Sequence, residues 1–78
     1  LDEKYLILEF ENSSFKVPER LKKYCIKKTK NSVELKFNKS ENSVANLVKI
    51  FEKTKVKIKD ISTKDSDLEE IFINLLKK

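Results

Sequence analysis

An apolar run close to the N-terminus predicts the first strand of this chain. Leu6, Leu8 and Phe10 occupy alternate positions there, and alternate positions of a strand share one face. Tyr5 and Ile7 fall on the opposite face. The length of the run and its aromatic and β-branched residues are typical of a strand with both faces at least partly covered.

The next elements predicted are a short helix and a hairpin. Pro18 suits the first turn of a helix over residues 18–24,. Residues 25–30 and 32–38 have the composition of two strands joined by a tight turn, in which Asn31 can adopt the left-handed conformation that hairpins often need. The second strand alternates most cleanly, through Val33, Leu35 and Phe37.

From Ser40 onward the hydrophobic period changes to that of a helix. The apolar positions follow the spacing i, i+3, i+4, i+7 of one helix face, with three candidate N-caps in front of them. The helix face comprises Val44, Leu47, Val48 and Phe51, and the candidate caps are Ser40, Asn42 and Ser43. Val56 and Ile58, with Ile61 as a further candidate, then predict a final strand.

A last helix is predicted to begin near Ser66, which stands three residues before Glu69 as in a capping box,. Its apolar face consists of Leu68, Ile71, Phe72 and Leu75, flanked by Leu76. At about 100° per residue, Ile73 lies off this stripe. Leu68 and Phe72 are expected to dock on the core of the domain.

The predicted order β-α-β-β-α-β-α defines an α+β fold class. It corresponds to a split βαβ, or ferredoxin-like, arrangement: a small antiparallel sheet of about four strands with helices on one face. The main alternative is a meander with a loop in place of the first helix. Residues 1–78 are expected to form a single domain,.

Composition excludes several classes of chemistry. The chain has no His, no Gly and one Cys, so it cannot build a His/Cys metal cluster, a Ser–His or Cys–His nucleophile or a glycine-rich phosphate loop. No apolar run approaches the roughly 18 residues of a membrane span. The lone Cys25 is expected to be a small hydrophobe in a reducing compartment. Because no Met stands at position 1, we expect the chain to be part of a larger protein.

Residues 56–75 carry a resemblance to a known family. They read Val-Lys-Ile-Lys-Asp-Ile-Ser-Thr-Lys-Asp-Ser-Asp-Leu-Glu-Glu-Ile-Phe-Ile-Asn-Leu. This segment resembles the end of bacterial ABC-transporter ATP-binding subunits, which often finish with a strand, a polar link and a Leu-Glu-Asp/Glu-Val/Ile-Phe-Leu/Ile-x-Leu helix. The matching residues are Asp60 and Ile61, with Asp65-Ser66-Asp67, in the link, and Leu68, Glu69, Glu70, Ile71, Phe72 and Leu75 in the helix. The family usually has proline or a small residue near Ser66 and Asp67; no proline stands there in this chain.

The resemblance implies an accessory domain that follows the nucleotide-binding domain of such a subunit. The implied domain is not itself an enzyme and holds no cofactor, because ATP and magnesium would bind only in the nucleotide-binding domain. Its implied partners are that domain and a second ATPase subunit. Its implied place is the cytoplasmic side of the membrane, where the only membrane contact is indirect, through the transporter permease.

Charge raises an alternative function. Lys+Arg 18 against Asp+Glu 13 gives a net charge of +5, and lysines follow one another along residues 27–30 and 55–59, so the chain could be a small basic nucleic-acid-binding module. Lysines also protect edge strands from pairing, and Arg20 is the only arginine, although arginine is favoured for phosphate and base recognition. We therefore favour the edge-strand interpretation. A small-molecule-sensing domain is a third possibility.

The candidate interaction residues are apolar side chains off the predicted core. Tyr5 and Ile7 would be exposed as an apolar patch on the sheet face away from the helices, and such a patch suggests a contact surface. Ile73 and Leu76 are further candidates at the last helix. Most of the other aromatic residues are expected in the core, and the acidic pairs Asp65/Asp67 and Glu69/Glu70 are expected to be solvated charges at a helix start.

Overall fold

A computed structural model describes residues 2–65 of the chain. Its elements are β1 (Glu3–Phe10), a 3₁₀ helix (Glu19–Tyr24), β2 (Cys25–Lys28), β3 (Ser32–Asn38), α1 (Val44–Glu52) and β4 (Ile58–Asp65). The four strands form one antiparallel sheet in the order β2-β3-β1-β4. This is the predicted α+β class with the split βαβ order, and the first helix is present where the alternative had a loop. The helix predicted from Ser66 lies outside the described residues.

The two central strands, β1 and β3, build the core because both alternate strictly. Leu6 pairs with Leu35 and Leu8 with Val33 across the ladder, and paired residues project from the same face of a sheet. That face is covered by α1 and the 3₁₀ helix, and we call it the helix face. The buried core comprises Leu6, Leu8, Phe10, Phe15, Leu21, Val33, Leu35, Phe37, Leu47 and Phe51.

The aromatic residues largely follow the prediction of core packing. Phe10 lies at the centre, with ring centroids 4.4 Å from Phe15 and 5.5 Å from Phe51. These separations are typical of favourable tilted aromatic pairs. Tyr24 packs against the core but is only half-buried. Phe72 lies outside the described residues.

The short helix is of the 3₁₀ type and follows Pro18 as predicted. Its first bond runs from the Leu21 amide to the Pro18 carbonyl, 2.9 Å, and Leu21 anchors it in the core. β2 ends at Lys28, two residues before the predicted end. The hairpin closes with the Thr29 amide donating to the Ser32 carbonyl at 2.9 Å. No residue in the range 2–65 has a positive φ, so the left-handed conformation expected at Asn31 is wrong.

Helix α1 begins where the hydrophobic period predicted it. Of the three candidate caps, Ser43 is the N-cap: its hydroxyl accepts a hydrogen bond from the Asn46 amide at 3.1 Å. Leu47 and Phe51 are fully buried, and Val48 packs beside them. None of the helices within residues 2–65 is long and apolar enough to cross a membrane.

Strand β4 differs most from its prediction. It starts at Ile58 rather than Val56 and continues to Asp65, through residues that the family resemblance assigned to a polar link. Asp60 and Ile61 therefore lie inside the strand. The reason is that backbone pairing with β1 requires no apolar side chains; Lys4 pairs with Asp65 and its ammonium lies 3.3 Å from the Asp65 carboxylate.

Candidate interaction surface

The sheet face opposite α1 carries the interaction residues predicted within the described range. We define this open face as Glu3, Tyr5, Ile7 and Glu9 of β1, together with the residues that pair with them on β3 and β4 and with Lys27 of β2. Tyr5 and Ile7 lie on it because β1 buries Leu6, Leu8 and Phe10 on the other side, and a strand projects successive side chains to opposite faces. The predicted pair is thus adjacent on one surface. Ile73, Leu76 and the family motif from Leu68 to Leu75 lie outside the described residues.

Tyr5 is held between two lysines of the neighbouring strands. Lys36 of β3 and Lys64 of β4 both pair with Tyr5 in the ladder. Their ammonium nitrogens lie 5.8 Å and 5.5 Å from the centroid of the Tyr5 ring, within the range of cation–π attraction. The aliphatic stems of such lysines can cover apolar surface while the charges stay in water. This agrees with the half-buried state of Tyr5.

Ile7 is half-buried as well, between Glu34 of β3 and Ser62 of β4. The expectation that Tyr5 and Ile7 stand exposed therefore does not hold. The exposed large apolar side chains among the described residues are Ile26 at 53% and Ile61 at 46%. Both belong to edge strands, which have a neighbouring strand on one side only among residues 2–65.

Ile26 is a surface residue that sequence reasoning missed. It lies where the β2–β3 register shifts between Cys25 and Lys27, so simple alternation does not assign its face. Ile26, Glu3 and Lys36 line one hollow of about 250 Å³. Ile26 thus extends the apolar part of the surface to the β2 edge. The sequence signal for Ile26 as a surface residue is its place beside Lys27 and Lys28 in a short strand.

The charges of the open face are mixed, with a slight negative excess. Among the described residues, four acidic side chains and three lysines project from it, which gives 3 − 4 = −1. The acidic residues are Glu3, Glu9, Glu34 and Asp60, and the lysines are Lys27, Lys36 and Lys64. The chain as a whole carries +5, so its basic excess lies elsewhere. Lys36 also contacts Glu3, with 3.4 Å between ammonium and carboxylate.

The lysine-rich segments do mark the sheet edges. β2, with Lys27 and Lys28, and β4, with Lys59 and Lys64, are the two outer strands. Lys30, Lys55 and Lys57, which the sequence placed with them, lie outside the strands. Edge lysines disfavour uncontrolled pairing with other chains, because an added strand would displace water from the lysine charge.

A second concave region lies at the β2 edge. It is an open groove of about 850 Å³, and its lining includes Phe15, Val17, Pro18 and Cys25. Lys28 closes one side, with its ammonium 4.7 Å from the Phe15 ring centroid. Cys25 is half-buried and donates to the Lys27 carbonyl at 3.7 Å. Residues 2–65 contain no group of three or more acidic, Cys or His side chains placed to hold a metal ion.

Comparison with known proteins adds no relative to this description. No family model, curated protein or solved structure matches the chain.

Proposed function

We propose that this chain is a non-catalytic accessory domain of an ABC-transporter ATP-binding subunit. The domain would contact its own nucleotide-binding domain or the second subunit of the ATPase pair, and so bias association of the two subunits. The observation that carries the proposal is the resemblance of residues 56–75, in which Asp60 and Ile61 precede a Leu-Glu-Glu-Ile-Phe helix motif.

The described part of the chain supports a contact function in one further respect. The open face carries Tyr5 and Ile7 between alternating acidic and basic side chains. Protein interfaces combine a partly apolar, often aromatic centre with a polar rim. The open face has that composition, and Tyr5 and Ile7 lie on a strand that pairs with neighbours on both sides.

The proposal requires that the gene product carrying this chain also carries a nucleotide-binding domain before Leu1. In that full-length subunit, Ile7→Lys should weaken subunit association or change ATP turnover about five-fold or more, the lower range of coupling between sites. Lys16→Glu, an exposed position away from the open face, is the matched control. Circular dichroism checks that each variant remains folded.

Two results would overturn the proposal. One is a native gene that encodes this chain alone. The other is a full-length subunit in which deletion of residues 1–78 leaves both ATP turnover and subunit association unchanged.

A nucleic-acid-binding module is the second candidate, favoured by one specific observation. Tyr5 stands on a central strand of the open face with two lysine ammonium groups beside it, and sheet aromatics can stack on bases. The charge of that face argues against this function, since a phosphate-binding surface needs a basic excess. Binding of mixed-sequence RNA that weakens steeply between about 50 and 200 mM salt would support it. Absence of binding at low salt would exclude it.

A further inference from the structure

We propose that the groove at the β2 edge binds a short acidic peptide segment of a partner protein, one that carries apolar side chains between its carboxylates. This inference goes beyond the proposed function and does not rest on it, because it concerns a surface other than the open face. The groove has a volume of about 850 Å³, and its apolar lining includes Phe15, Val17, Pro18 and Cys25. Lys22 and Lys28 also line it and supply the charge that an acidic ligand needs.

The basic excess of the chain is concentrated beside this groove. Residues 20–30 contain six cationic side chains and no acidic one, a net charge of +6. The whole chain carries +5, so the remaining residues together carry 5 − 6 = −1. The six cationic residues, all exposed, are Arg20, Lys22, Lys23, Lys27, Lys28 and Lys30. A concave surface with charge of one sign attracts ligands of the opposite charge.

Lys28 is placed over the apolar lining by the pairing of β2. It pairs with Val33 of β3, which is buried on the helix face, so Lys28 projects from the same face. There its ammonium lies 4.7 Å from the centroid of the Phe15 ring, and Phe15 packs on Phe10 of the core. A cation therefore stands beside apolar surface, which is the combination that an acidic and apolar segment requires.

Lys22, on the 3₁₀ helix, has a partner within the lining of the groove. Its ammonium lies 2.9 Å from the carboxylate of Glu19. The two side chains are 62% and 88% exposed, and an ion pair so exposed is weak because water and salt screen it. An ammonium group has three donors. A ligand carboxylate can therefore share Lys22 or replace Glu19, and Glu19 acts as a competitor of the ligand.

The walls of the groove are held by the core of the domain. Val17 and Cys25 pack against the buried cluster. Leu21 is buried, and its amide donates to the Pro18 carbonyl at 2.9 Å. The proline ring itself fixes one backbone angle at this point. A preformed groove lowers the cost of ordering the protein when a ligand binds.

A peptide fits this groove better than a nucleic acid does. The two aromatic rings next to the basic residues each have a lysine ammonium over them, Lys28 over Phe15 and Lys23 over Tyr24, the second at 5.2 Å. Binding of single strands relies on stacking of bases against aromatic rings. Lysines occupy the positions over these rings that a base would take.

An anionic membrane also fits the groove less well, because its apolar residues are recessed and a bilayer surface is flat. The apolar side chain that protrudes from this part of the chain is Ile26, at 53% exposure. Ile26 shares its hollow with Glu3 and Glu41, which anionic headgroups would repel. The observations therefore favour an acidic peptide.

Titration of the 78-residue chain with a synthetic peptide tests the proposal. The probe is the peptide Asp-Glu-Leu-Phe-Glu-Asp, blocked at both ends and followed by heteronuclear NMR. We expect a dissociation constant on the order of 100 μM, with the largest shifts at the amides of Val17, Cys25 and Lys28. A matched peptide with Asn and Gln in place of the four acidic residues should bind at least about ten-fold more weakly.

Three variants of the chain locate the binding site. Lys28→Glu should weaken binding about five-fold or more, because it replaces attraction by repulsion at the groove. Glu19→Gln should strengthen binding about two-fold, because it removes the competitor for Lys22. Lys49→Glu makes the same charge change as Lys28→Glu at an exposed position of α1, outside the groove lining, and should leave the affinity unchanged.

Several results would overturn the proposal. The first is the absence of any shift up to about 1 mM peptide, ten times the dissociation constant expected above. Equal affinity for the acidic peptide and its neutral counterpart does the same, as does an unchanged affinity of Lys28→Glu that is folded by circular dichroism.

Other occupants of the groove give different results. If mixed-sequence RNA or vesicles of anionic phospholipid shift the groove amides and the peptide does not, the groove belongs to that partner and the proposal is wrong. Groove amides that shift with protein concentration alone would assign the groove to a second copy of the chain instead. None of these results bears on the proposed contact with the nucleotide-binding domain, which Ile7→Lys tests separately in the full-length subunit.

Discussion

The two faces of the sheet are built from the same strands but are shielded from water in different ways. On the helix face, Leu6, Leu8 and Leu35 are completely removed from water. On the open face of the same strands, Tyr5 and Ile7 are half-buried between lysine and glutamate side chains. The helix face is covered by α1 and the 3₁₀ helix of the domain itself. The other, within the described residues, is shielded by its own charged neighbours.

The difference shows where the stability of the domain resides. Burial of apolar area contributes roughly 25 cal/mol per Å², so the helix face provides most of the favourable free energy. Exposed ion pairs contribute at most about 1 kcal/mol each. The stability of the fold therefore depends little on the charged residues of the open face. Other charged residues at these positions, suited to a partner, would cost little stability.

The largest expected effect separates the two faces at adjacent positions. Leu8→Ala should lower the free energy of unfolding by about 3 kcal/mol, since it leaves a cavity in a fully buried site,. Ile7→Ala, one residue away on the open face, should cost only about 1 kcal/mol. Urea denaturation measures both. Equal losses would contradict the assignment of the two faces.

An intermediate effect is expected at the start of the helix that covers the core. Ser43→Ala removes the hydroxyl that accepts from the Asn46 amide and should cost about 1 kcal/mol. Ser40→Ala is the control, because Ser40 is exposed and precedes the cap. If both substitutions have the same effect in thermal unfolding, the assigned N-cap is wrong.

The smallest effect is expected for the ion pair of the open face. Glu3→Gln breaks the 3.4 Å contact with Lys36, in which the two side chains remain 41% and 38% exposed. The loss should be below about 0.5 kcal/mol and should vanish at high salt. Denaturation at low and high ionic strength tests this. A larger, salt-independent loss would give the open face a structural role that we do not assign to it.

The elements with a regular hydrophobic period could be predicted from the sequence, because the spacing of their apolar side chains distinguishes a strand from a helix. The alternation of Val33, Leu35 and Phe37 gave the bounds of β3, and the helical spacing from Val44 to Phe51 predicted α1. The end of β4 could not be read in this way. Residues 62–65 carry no apolar pattern, and they are a strand only because β1 offers them backbone partners.

The candidate surface was predictable in part. Alternation placed Tyr5 and Ile7 on one face, but it could not show that Lys36 and Lys64, far apart in the chain, would flank the same ring. Because the β2–β3 register shifts between Cys25 and Lys27, alternation could not predict that Ile26 is exposed. Both features depend on register, which is set by pairing between strands.

The sequence by itself determined most of the buried residues, the type and order of the elements within residues 2–65, and the absence of any His or Gly chemistry. These follow from local period and composition, which need no partner strand. The tertiary structure decided that β2 and β4 are the edges, how far β4 extends and which charges share a face. Those properties belong to pairs of residues distant in the chain, so only the folded arrangement fixes them.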